Sequence, residues 1–269
     1  KGQDGIRQVE RDNFNKIKNI IATNDPEAGK NLSLSIDSGL QQVLYENLEK
    51  QIARNRRTGG AAIALNPKNG QVLAFLSSPS FDNNLFFRGI DSEIYQSLIN
   101  NPNKPFITRP VSGEYPPGST IKPPLAAAIL EEGLADKYDT INSTGGLKIG
   151  QWYFPDWQSG GHGLTNVVKA IAQSVNSYFY IFGGGYNDIK GLGLDLINQY
   201  LKKFGLYSKT NIDYPGEKDG FLPSREWKEE NKGERWYIGD TYHLSIGQGD
   251  ILVTPLQVAN YTAAIANQG

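Results

Sequence analysis

The 269-residue sequence predicts an α/β fold of the α+β kind, an antiparallel sheet flanked by helices. Three observations lead there. Two apolar runs, residues 61–65 (Ala-Ala-Ile-Ala-Leu) and 72–76 (Val-Leu-Ala-Phe-Leu), are joined by Asn66-Pro67-Lys68-Asn69-Gly70, whose Asn-Gly end is a strong hairpin signal, so they read as central strands of the sheet. Residues 125–130 (Leu-Ala-Ala-Ala-Ile-Leu) read as a helix buried on most sides. Thr254-Pro255-Leu256-Gln257 sets an N-cap, an N1 proline and an N3 glutamine in the order that starts a helix, which should run to about Asn267.

The remaining elements follow in order. Residues 1–30 are polar without a sustained period and read as short strands or a linker. Residues 31–36 alternate polar and apolar as a half-buried strand does. Asp37 then caps a helix on which Leu40, Val43, Leu44, Leu48 and Ile52 recur at helical spacing. Residues 77–84 form a polar loop and 92–100 a short helix stopped before Pro102. Residues 139–163, rich in glycine and proline, predict irregular loops and a small hairpin. Residues 164–172 read as a helix, 174–176 as an exposed corner, and 178–182 (Tyr-Phe-Tyr-Ile-Phe) as aromatic core. A further helix covers 192–204, with Gly205 at its C′ position.

Composition narrows the function. The 27 Lys and Arg against 28 Asp and Glu leave no bulk field to recruit nucleic acid. The absence of cysteine excludes disulfides, thiolate metal sites and cysteine nucleophiles. Methionine is absent even from position 1, so the chain is expected to be a processed product or an excised segment. No apolar run approaches the roughly 20 residues that span a bilayer. There is no Walker loop and no Gly-x-Ser-x-Gly elbow, and His162 and His243 read as structural. Arg54, Arg56 and Arg57 read as a solvated helix end.

Chemistry concentrates at Ser119-Thr120-Ile121-Lys122, after Tyr115-Pro116-Pro117-Gly118. A side chain three positions on lies one helical turn above, so Lys122 sits over Ser119. A serine hydroxyl needs a neighbouring base, and a lysine whose pKa is lowered by burial can serve. Pro123 and Pro124 lack backbone donors and predict a 3₁₀-like first turn. Ser174-Val175-Asn176 is the one Ser-x-Asn of the chain, as 119–122 is its one Ser-x-x-Lys.

That order of motifs resembles the penicillin-recognising serine acyl transferases, in which Ser-x-x-Lys, Ser-x-Asn and Lys-Thr-Gly line one cleft. Residues 59–76, Ser78-Pro79-Ser80-Phe81-Asp82, 115–123, Gly239-Asp240-Thr241 and Ser245-Ile246-Gly247-Gln248-Gly249 are similar to the transpeptidase domain of class B penicillin-binding proteins, in the cell-elongation (penicillin-binding protein 2) branch. The likeness covers roughly residues 30–269. It implies the penicillin-binding protein and serine β-lactamase-like fold, with residues 1–30 a remnant of an N-terminal pedestal or linker and 31–269 the transpeptidase domain. It implies a peptidoglycan D,D-transpeptidase, acylated by β-lactams and working outside the cytoplasmic membrane. A membrane anchor is expected upstream, a glycan polymerase of the SEDS family as partner, and the D-Ala-D-Ala stem peptide as substrate, with no cofactor. Ser119 would attack the penultimate D-alanine carbonyl, Lys122 accept its proton, Ser174 relay a proton, and Asn176 hold the substrate amide and orient Lys122. The Ser119 backbone N–H would supply one oxyanion donor.

The sequence departs from the family in one respect. No Lys-Thr-Gly, Lys-Ser-Gly or His-Thr-Gly occurs, and Lys209-Thr210 is followed by Asn211. In the family that motif lies beyond a segment like 254–269, so the chain is expected to stop before it and to be acylated slowly. Some relatives of the elongation branch bind zinc in this loop region through two aspartates, a histidine and a cysteine. Asp139, Asp156 and His162 fall near those places without the cysteine, and a polar loop that binds no metal is the reading adopted. Two alternatives remain: a serine β-lactamase or β-lactam sensor, and a non-catalytic cell-wall scaffold.

Overall fold

The structure, a computed structural model, describes residues 2–87 and 89–269. The chain divides into two compact units, Lys1–Ser35 and Ile36–Gly269. In the first, β1 (Ile6–Arg11) and β2 (Ile17–Asn24) pair antiparallel, with the register shifting after Gln8 and after Glu10. The expected strand at 31–36 does not form. Leu32 and Leu34 are exposed, and alternation without a ladder partner does not make a strand.

The second unit opens with α1 (Ser38–Arg54), whose N-cap Asp37 accepts from the Leu40 amide at 2.9 Å. Then come β3 (Gly60–Leu65), β4 (Val72–Ser78), α2 (Ser92–Ile99) and α3 (Arg109–Ser112). The Asn66–Gly70 turn makes the predicted hairpin, and both strands pack against helices, with Gln41 of α1 bonding the N–H and C=O of Phe75. Among the described residues each strand has one ladder partner, so the pair is a two-stranded ribbon and not the centre of a wider sheet. The apolar runs find their cover in α1 and in α10 (Pro255–Ala266) instead.

Next come α4 (Lys122–Glu131), β5 (Ile141–Ser143), β6 (Gly146–Ile149), β7 (Trp152–Pro155), β8 (Gly163–Thr165) and α5 (Val167–Ala172). The small hairpin predicted in 139–163 is β6–β7, and β5 pairs with β8. The helix expected from 164 starts three residues later. Asn166, a better N-cap than Leu164, accepts from the Lys169 amide, and residues 163–165 join β5.

The core is helical. α6 (Asn176–Gly184) carries the aromatic run and is packed by α4, α5, α7 (Gly193–Lys203) and α9 (Ile238–Ser245); α8 (Arg225–Lys232) lies between the last two in sequence. Ile129, Tyr178, Phe179, Ile197, Leu201 and Tyr242 are buried together, each large apolar side chain contributing about 1.5–3 kcal/mol. Gly183 and Gly184 allow α6 to lie close on α9, since a Cβ at either would strike Ser245 or Tyr242. The last helix has the predicted capping box, Thr254 with Gln257.

Candidate active site

The turn that presents Ser119 is a 3₁₀ segment, Gly118–Ile121, running directly into α4, as the two prolines predict. Gly118 has φ +58°, a conformation glycine adopts freely. Three distant residues hold the turn. Tyr115 and Val253 exchange backbone hydrogen bonds of 2.9 Å, the Gly118 amide donates to the Gly247 carbonyl at 2.8 Å, and the Tyr261 hydroxyl donates to the Thr120 carbonyl at 2.9 Å. Ser119 itself is exposed to a cleft of roughly 900 Å³ that Trp157, His162, Lys169, Ser174 and Asn176 also line.

Lys122 is 1% exposed and bonds Ser174 and Asn176, two of the residues that line the cleft. Its ammonium has three donors and three acceptors: the Ser174 carbonyl at 2.8 Å, the Ser174 hydroxyl at 3.1 Å and Asn176 Oδ1 at 2.7 Å. Burial pushes its pKa down from 10.5 to about 8, against the pull of the Asp156 carboxylate. Among the described residues no hydrogen bond joins the Ser119 hydroxyl to Lys122; Ser174, which bonds the amine, lines the cleft together with Ser119.

The corner at 174–176 is not exposed as expected. Ser174 and Asn176 are half-buried because they solvate the buried ammonium, and Ser174 takes a left-handed φ of +53° that aims both its carbonyl and its hydroxyl at Lys122.

Behind Asn176 is a carboxylate that no catalytic motif of the sequence includes. Asp156 Oδ1 accepts from the Asn176 amide at 2.9 Å, and Oδ2 accepts from the Ser177 amide at 3.0 Å and the Ser177 hydroxyl at 2.7 Å. Burial works to raise its pKa, but the donors from Ser177, Asn176 and Trp157 outweigh it and hold the carboxyl below its usual 3.8. His162 packs alongside with Nε2 3.7 Å from Asp156 Oδ1, and that nitrogen is buried without a hydrogen-bond partner.

The residues do not make the four-ligand zinc set. Asp139 bonds the Asp136 amide on its own turn, and no group of three His, Cys, Asp or Glu suited to a metal ion forms among the described residues. Lys209-Thr210 lies in a loop gathered by Glu217, which accepts from the Thr210 and Asn211 amides.

The site thus combines an exposed serine at a helix N-terminus, a Ser-x-Asn corner in the same cleft, and a buried amine of lowered pKa bonded to that corner. The chain belongs to the penicillin-binding protein transpeptidase domain family, whose model matches residues 60–269. It is 40% identical over its whole length to the peptidoglycan D,D-transpeptidase MrdA of Acinetobacter baumannii, of which it spans 38%. Penicillin-binding protein 2 of Pseudomonas aeruginosa, solved in complex with WCK 5153, superimposes with a TM-score of 0.80 at 37% identity over 91% of this chain and 51% of that one. A structure titled as a peptidoglycan synthase complex coordinating polymerization and crosslinking contains a chain matching with a TM-score of 0.83 at 32% identity, over 100% of this chain and 47% of that one. The expected fold is thus met. The chain spans about two fifths of the length of the curated relative it matches.

Proposed function

We propose that this chain carries the catalytic site of a peptidoglycan D,D-transpeptidase. One observation carries the reading: a buried lysine whose pKa is brought to about 8, held by the Ser-x-Asn corner one turn from an exposed serine. At pH 7 about a tenth of such a lysine is free base, enough for general-base work. The Ser119 oxygen attacks the carbonyl carbon of the penultimate D-alanine, and its proton passes to Lys122 directly or through the Ser174 hydroxyl. The Ser119 backbone N–H steadies the developing oxyanion. The tetrahedral adduct collapses, the terminal D-alanine leaves as its nitrogen takes the proton, and a Ser119 ester remains. An amine of a second stem peptide then attacks the ester, gives up a proton by the same route, and frees Ser119 with a new amide bond. A β-lactam acylates the same oxygen by ring opening.

The relatives' names support an extracytoplasmic setting, and the synthase-complex neighbour supports pairing with a glycan polymerase. A membrane anchor upstream and a pedestal containing residues 1–30 complete this reading; no helix among the described residues is itself long and apolar enough to cross a membrane.

Intact-mass spectrometry after incubation with benzylpenicillin tests it, on the native protein and on Ser119→Ala. The expected result is a stable single adduct that Ser119→Ala lacks. Turnover of the penicillin without a persisting adduct would indicate a β-lactamase, and no adduct at all on the full-length protein would leave the scaffold.

A further inference from the structure

The N-terminus of α6 has no cap of its own. Val175 occupies the N-cap position and has no side-chain acceptor, so the first amides of the helix must find one elsewhere. Asp156, just beyond β7, supplies it from 20 residues upstream, one oxygen to the Asn176 amide and the other to the Ser177 amide and hydroxyl. A carboxylate at a helix N-terminus is also favoured by the helix dipole. Asn176 is the first residue of that helix, and its side chain is the shortest of the three contacts to Lys122. Fixing the Asn176 backbone therefore fixes the position of the amine. The carboxylate has a second effect, because its negative charge favours the protonated form of Lys122 and so opposes burial. Two other ionisable groups, Lys169 and His162, line the cleft with Ser174 and Asn176; the Lys169 ammonium donates to the His162 and Leu164 carbonyls.

We propose that Asp156 is a positioning residue for acyl transfer, acting through the first turn of α6 on Asn176 and Lys122. The inference rests on the acyl-transfer reading above. It gives Asp156 work in this chain that needs no metal, and it explains why a fully buried carboxylate stands behind the catalytic corner.

The test is the pH–rate profile of Ser119 acylation by benzylpenicillin on the full-length protein and on Asp156→Asn, with melting curves as a check on folding. An amide of the same shape keeps one acceptor oxygen but turns a donor toward a donor. The expected result is acylation slower by roughly ten-fold or more at its optimum, with the acid limb moved to lower pH because Lys122 has lost its negative neighbour. Slower acylation with an unmoved acid limb would overturn the electrostatic part, and an unchanged rate and limb would overturn the whole proposal. Should Asp156→Asn not fold, Ser177→Ala removes the hydroxyl that donates to the carboxylate, together with its contact to the Ser143 hydroxyl, and is expected to slow acylation roughly three-fold; an unaltered rate there would count against the proposal. Failure of the native protein to be acylated sinks the acyl-transfer reading itself, a result distinct from either variant's behaviour.

Discussion

The Gly118 amide and the Gly247 carbonyl meet across 2.8 Å, and this contact ties the loop 246–249 to the turn that presents Ser119. Gly247 has φ +70°, and a Cβ there would collide with the Gly118 backbone. Gly247→Ala is expected to destabilise the protein by about 2 kcal/mol through strain and displacement, and to slow penicillin acylation by shifting Ser119. Thermal melting reads the first effect and stopped-flow acylation the second. A variant with wild-type values in both would show that the loop does not support the turn.

On the proposed mechanism Lys122 makes acylation pH-dependent. Its free base is the working form, so the rate should rise with pH about a midpoint near 8. The same shift predicts stability. The folded pKa lies below the unfolded value of 10.5, so the unfolded state binds the proton more tightly and folding is penalised wherever that proton is present. Relative to Lys122→Met, the wild type should therefore gain about 3 kcal/mol as pH rises from 8 to 10.5. Denaturant titrations of both proteins across that window check it; parallel curves would contradict a depressed lysine.

The close crossing of α6 and α9 predicts a further loss. Gly183→Ala drives a methyl into Ser245, which is fully buried and donates to the Thr241 carbonyl at 2.7 Å. The expected loss is about 1–3 kcal/mol. Ser245→Ala in the same protein should recover part of it, a coupling that a double-mutant cycle measures.

Tyr261→Phe removes the hydroxyl that α10 sends to the turn presenting Ser119, bonded to the Thr120 carbonyl at 2.9 Å. A loss of about 1 kcal/mol is expected, with a smaller fall in acylation than Gly247→Ala causes. Urea melts of the two variants give the comparison.

Local patterns made much of this legible in the sequence. The capping box at Thr254 and Gln257, the Gly205 that ends α7, the Asn-Gly hairpin and the 3₁₀ entry to α4 each depend on residues within a few positions of one another. Ser119, Lys122, Ser174 and Asn176 are legible as motifs; in the structure Ser119, Ser174 and Asn176 line one cleft and Lys122 bonds the last two. What stayed hidden depends on distance. Asp156 caps a helix from 20 residues away, and Gly247 supports a turn from the far end of the chain; neither leaves a periodicity or a spacing to read. Residues 31–36 misled for the opposite reason, since their alternation is local and a strand is not.

The nucleophile turn has a consequence for the order of folding. Its partners lie far along the chain, Val253 for Tyr115, Gly247 for Gly118 and Tyr261 for Thr120, the last pair 141 residues apart. Contacts of such separation close late, after the loop entropy between them has been overcome. A chain still emerging during synthesis therefore has its serine before it has a site, and Ser119 should become reactive only once residues 247–261 have docked. Penicillin labelling during refolding, followed beside hydrogen exchange at Gly118, should show both signals arriving together; labelling that precedes protection would contradict this order.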